Sequence, residues 1–157
     1  MKIPEKRNSL KSKYTPELGK AKQELYRKAH KHLDRATAKG SHIEVIAILE
    51  SLMSDRLESA ISSITGESQA VNSLGSLVSK FHQIHPIDDE LRLRLREWNR
   101  HRSQIIHQMV KLTENHTPTW AERITFARRV ASEGKILLKD LRRATDKVIR
   151  SSKHFDE

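Results

Sequence analysis

Arg102 and His107 are the residues of this chain whose types and placement suit work on a phosphodiester. Leu91, Leu95, Trp98, Arg102, Ile105, Met109 and Leu112 follow one another by alternating steps of four and three, which lines them up along one seam of a long helix. All of these are apolar except Arg102, a permanent cation. A guanidinium on a packing seam costs on the order of several kcal/mol unless it is paired or lies at a wet interface. His107 is about 140° further round the helix, at the edge of the seam. An arginine can hold phosphate charge and a histidine can move a proton near neutral pH. Glu50 is the matching oddity, a carboxylate inside the apolar face of another helix. The residues alone leave two readings: a buried Arg102–Glu50 ion pair with His107 as an ordinary edge histidine, or an Arg102/His107 pair acting on phosphate.

Other constellations are weaker. Arg96 precedes His101 at the same spacing, but neither falls on the seam, and Arg100 lies off it too. His82 and His85 have helical spacing for two metal ligands, with no neighbouring Asp, Glu or Cys set to complete a site. His30 and His32 read as a solvated face. There is no glycine-rich phosphate loop, no HExxH and no nucleophile elbow. The chain has no cysteine, which removes disulfides, thiolate nucleophiles and thiolate metal sites. No metal and no cofactor are expected.

The elements that must position these residues are helices. Thr15 and Pro16 open a first, mostly polar helix that runs to about Ala38 and stops at Gly40. Ser41 is expected to cap a second helix over 42–65, closed by Gly66, whose face carries Ile43, Ile46, Leu49, Met53, Leu57, Ala60, Ile61 and Ile64. A third helix covers about 69–83 and ends at His85-Pro86. The seam helix covers about 88–112, with acidic residues in its first turn. A loop over 115–118 leads to a fifth helix over 119–151, with a seam of Trp120, Ile124, Ala127, Ala131, Gly134, Leu138, Leu141 and Val148. Gly134 in that seam reads as a site of close helix approach. No strand-like alternation persists, so the fold class is all-α, an up-down bundle of four to five helices.

At 157 residues the chain makes one domain over 16–152, flanked by a flexible basic arm over 1–15 and a short tail over 153–157. Aromatics at 4% are too sparse for base-stacking sheet modules, and the core must come from Leu, Ile, Val and Ala. No apolar run reaches the roughly 18 residues that span a bilayer, so no membrane partner is expected and the cytoplasm is the expected location. Residues 1–40 carry 12 Lys/Arg against 4 Asp/Glu, residues 41–90 carry 2 against 8, and residues 91–157 carry 16 against 8. Two basic flanks around an acidic centre suit a polyanion partner.

The stretch from Glu97 to Gln108 (EWNRHRSQIIHQ) resembles the signature of the HEPN superfamily, in which an arginine followed by a polar residue precedes a histidine by four to six positions. Two further segments, residues 50–57 and 131–138, are similar to bacterial members, and the likeness spans roughly residues 41–150. Ser103 stands where asparagine is more usual, and Gln108 where glycine is common. The resemblance implies a bundle that dimerises through the motif helix. It also implies a metal-independent endoribonuclease, often a toxin or defence effector with an antitoxin or other regulatory protein as partner. Carried over by position, Arg102 and His107 would be the catalytic pair, with Glu50 or Asp55, Asn99 and Ser103 in support. Arg96, Arg100 and Lys111 on the same helix would hold neighbouring phosphates of a single-stranded RNA. The rival class is a non-catalytic scaffold of the same fold that binds nucleic acid or a protein partner.

Overall fold

The computed structural model describes residues 16–67, 72–111 and 118–152. The basic arm, Thr15, Gln69, Val71, Leu112, Asn115 and the tail lie outside the described residues. Five helices follow in order: α1 (Pro16–Ala38), α2 (His42–Thr65), α3 (Leu74–Ile84), α4 (Asp89–Gln108) and α5 (Trp120–Ser152). There is no strand among the described residues.

The helix ends follow local chemistry. Gly40 and Gly66 both have positive φ, and the Gly66 N–H donates to Ser62 O at 2.8 Å, closing α2 in the left-handed conformation that glycine tolerates best. Ser41 makes no side-chain cap, contrary to expectation; its carbonyl instead accepts from Val45 N. The third helix begins at Leu74, later than the periodicity suggested, because Ser73 Oγ accepts from Ser76 N and starts the helix there. Asp88 Oδ2 caps α4 through Leu91 N at 3.1 Å. Thr119 and Glu122 form a reciprocal capping box at the start of α5, with each side chain accepting from the other's backbone N–H.

Helix α2 lies at the centre and touches all four others, whereas α1 touches α2 only. Contacts such as Tyr26–Asp55 and His32–Glu44 set α1 antiparallel to α2. The levels His42–Arg128 and Arg56–Thr145 set α5 parallel to α2. Arg94–Asp140 and Trp98–Val130 set α4 antiparallel to α5. The four long helices therefore alternate in direction, with the short α3 joining α2 to α4. One apolar cluster runs through all five, built from residues such as Leu33, Leu49, Leu57, Phe81, Leu95, Trp98 and Leu141.

At Gly134 of α5, side chains of both α4 and α2 approach closely. A Cβ there would sit 2.7 Å from Trp98 Nε1 and 2.8 Å from Leu49 Cδ1. The Trp98 indole is 1% exposed and donates to Val130 O at 2.8 Å. The close approach expected from the sequence is present. Trp120, expected in the α5 seam, is instead 61% exposed. It lies two turns before Arg128, the level at which α2 begins, and α4 has ended nearby, so no helix stands opposite.

Candidate functional site

The seam of α4 faces the interior of its own chain. Leu91, Leu95, Trp98 and Ile105 are buried, and Met109 packs partly against the core. Arg102, at 13% side-chain exposure, pairs with Glu50 of α2, whose side chain is 27% exposed. Its Nη2 also donates to Asn99 Oδ1 at 3.2 Å, while Arg102 Nε is buried with no hydrogen-bond partner among the described residues. Asn99 is held in turn against α3, since a Cβ on Gly75 would meet its amide nitrogen at 3.2 Å. Three helices thus position the guanidinium. Glu50 of the same chain supplies the countercharge, the ion pair that the residues alone offered as one reading.

His107 is exposed and makes no hydrogen bond, ion pair or ring contact among the described residues. At about 140° from Arg102 it looks outward while Arg102 looks inward, so the two are not brought together within one chain. The outward line of α4 holds Leu93, Arg100 and His107, which recur every seven residues, flanked by Arg96 and then by Lys111 beyond the helix end. Arg100 is partly engaged, 3.8 Å from Glu97 and 3.3 Å from His101 Nε2. Leu93 is 65% exposed and Val110 is 85% exposed, an apolar component on this face. Ser103 is half-buried between the two faces.

Asp55 is not part of the Arg102 cluster. Five residues beyond Glu50, it looks toward α1, where Tyr26 donates to it and Lys22 lies at 3.2 Å. Burial, then the bond to this carboxylate, holds the Tyr26 hydroxyl well above the usual tyrosine pKa. The neighbouring Glu58 is raised from the ordinary carboxylate value, first by burial and then by Asp55. This polar layer makes Asp55 a tie between α1 and α2.

Several of the other described histidines have structural partners. His82 Nδ1 accepts from Ile87 N and His85 sits against the Phe81 ring, so the pair does not face a shared centre. No group of three potential metal donors occurs among the described residues. His101 packs edge-on to Phe126 at 5.4 Å. His32 bonds Glu44 on the surface, but His30 is half-buried with its Nε2 shielded, so only one of that pair belongs to a solvated face. No described helix is long and apolar enough to cross a membrane.

Two features escaped the sequence reading. Arg123 closes the C-terminus of α4, donating to Gln108 O at 2.7 Å and to Lys111 O at 2.8 Å, a cation satisfying the terminal carbonyls. The second is a basic groove along α5, considered below. Its signal was present as Lys135, Lys139, Arg142 and Arg143, an i, i+4, i+7, i+8 stripe.

Comparison with family models, with curated proteins and with solved structures finds no match. What the fold and site define is an all-α bundle with a three-helix arginine cluster. The likeness to the HEPN superfamily rests on the motif residues alone.

Proposed function

We propose that this protein acts on single-stranded RNA and cleaves it without a metal, using the RNA's own 2′-OH as nucleophile. The observation that supports the reading is Arg102, a cation held by three helices at 13% side-chain exposure whose hydrogen-bonding capacity is not fully used, its buried Nε having no acceptor among the described residues. In this reading His107 takes the 2′-OH proton, the 2′-oxygen attacks phosphorus, the P–O5′ bond breaks, and the departing O5′ takes a proton from water. The products are a 2′,3′-cyclic phosphate and a 5′-OH end. Arg102 stabilises charge on the phosphorane without titrating. Because Arg102 and His107 of one chain face apart, the working pair is composite. A twofold homodimer through α4 would bring the two His107 side chains onto one shared surface, and Arg102, which looks inward in the single chain, would have to turn toward that surface to reach phosphate. Arg96, Arg100 and Lys111 hold flanking phosphates. A toxin or defence role, with a cognate regulatory protein, belongs to the same proposal.

One observation favours the rival, a non-catalytic RNA-binding scaffold: Arg102 is already paired with Glu50, as a purely structural arginine would be. His107→Ala separates the two. If His107 is the proton-transfer group, cleavage of a labelled single-stranded RNA falls by about 10²–10⁴-fold while RNA binding and folding persist. Cleavage continues in excess EDTA and is absent on an all-2′-deoxy strand. A wild-type protein that binds RNA but never cuts it overturns the catalytic reading.

A further inference from the structure

Because α1 rests on α2 alone, an open groove of about 600 Å³ lies between α1 and α5, with Leu49 and Arg56 of α2 in its lining. Its α5 wall carries Lys135, Lys139 and Arg142, and His30 faces them from α1. The side chains of Lys135, Lys139 and Arg142 make no hydrogen bond or ion pair among the described residues, although the Arg142 carbonyl accepts from the Thr145 hydroxyl. The carboxylate in the lining, Asp146, is engaged by Arg56, which also donates through Nε to the buried Thr145 hydroxyl at 2.8 Å. The field in the groove is therefore positive and not internally neutralised. It is strong enough to act on its surroundings: Arg142, after burial, helps to hold His30 below its ordinary pKa.

We infer that this groove binds the phosphate backbone of a single nucleic-acid strand, at a site separate from His107. The three cations follow one another by about 6 Å and 4.5 Å of helical rise on one face of α5, so their long side chains can reach neighbouring phosphates of one strand. Helices α1 and α5 both pack on α2, so the cations line a cleft with two walls rather than an open face, which suits one strand better than a duplex. No Phe, Tyr or Trp lines it, so recognition is chiefly of backbone charge with a steep salt dependence. Arg123 of α5, beside the C-terminus of α4, is 12 residues from Lys135 and 19 from Arg142, about 18 and 29 Å by helical rise, so the groove is separate from His107. The inference goes beyond the cleavage proposal and holds for a non-catalytic protein as well.

The test uses the full chain and a fluorescein-labelled 12-nucleotide oligo-dT, which lacks the 2′-OH and cannot be cleaved by the proposed chemistry. Anisotropy titrations run from 50 to 200 mM salt. The triple variant Lys135→Gln/Lys139→Gln/Arg142→Gln should raise Kd at least tenfold at the lowest salt and flatten the log–log salt slope by about 2. Lys139→Gln/Arg142→Gln, which changes only exposed side chains, should show part of the same loss and guards against a folding defect. The control Lys28→Gln/Lys31→Gln/Arg35→Gln removes equal charge from the outer face of α1 and should change Kd less than threefold. Equal losses in groove and control variants, or no loss in the groove variants, overturn the site. A 12-base-pair duplex whose affinity falls as far as the single strand's overturns the assignment to one strand.

Discussion

Two arginine–carboxylate pairs tie α2 to its neighbours, and they differ in what is left over. Arg56 bonds Asp146 and uses its Nε on Thr145, a threonine with no exposed surface whose hydroxyl also donates to Leu141 O at 2.9 Å. Every donor direction that the fold buries there has an acceptor, and Asp146 is 45% exposed. Arg102 bonds Glu50 and Asn99, is more deeply placed, and keeps a buried Nε without an acceptor. A completed pair is a clip between helices. An incomplete one holds a cation in a defined place with its hydrogen-bonding capacity partly unused, which is the physical basis for reading function at Arg102 rather than at Arg56.

The sharpest way to break this contrast is to remove each arginine. Arg102→Met leaves the Glu50 carboxylate largely shielded and unpaired, and should lower stability by about 3 kcal/mol in urea unfolding. Adding Glu50→Gln should recover part of that loss, so that the double change costs less than the sum of the singles. Strict additivity would mean that the pair does not form in solution. Gly134→Ala perturbs the seam without touching either pair: its methyl meets Trp98 and Leu49 at under 3 Å, and we expect a loss of about 2 kcal/mol. If Gly134→Ala is neutral, α4 does not sit as closely on α5 as described. Arg56→Met should cost only about 1 kcal/mol, since water reaches the half-exposed Asp146. A loss equal to that of Arg102→Met would erase the distinction between clip and site.

The smallest effect is a pH dependence at the Arg56 side of α2. Burial, then Arg142, depresses the His30 pKa below the ordinary 6.5, with Asp34 opposing. The unfolded chain therefore takes up a proton first as pH falls. The stability that neutral His30 contributes is complete above about pH 6.5 and declines as pH drops toward the folded value. His30→Gln should flatten the stability–pH curve in that acid window and leave it unchanged at pH 8. A curve of unaltered slope would place the titration elsewhere.

The helical class, both ends of α2 and the oddity of Arg102 could be read from the chain because each rests on local chemistry. Three-four spacing gives one face, a left-handed glycine ends a helix, and a cation on an apolar seam requires a partner wherever it lies. Gly134 was legible for the same reason, a residue without a side chain standing in a seam. The identity of Arg102's partner was legible as one possibility, since Glu50 was the complementary misfit on α2. What periodicity does not encode is which helix faces which. It could not tell that α4 would turn its seam inward and leave His107 outside, because one stripe serves equally for a core and for a partner copy. It placed Asp55 beside Glu50 in sequence, while the helix turned it toward α1. It put Trp120 in a seam that runs past the ends of both neighbouring helices. Nor could it show that α1 would pack on α2 alone and leave a positive groove beside α5. Those outcomes depend on contacts between residues far apart in the chain, such as Arg56 with Asp146 and Arg102 with Glu50, and only the packed bundle decides them.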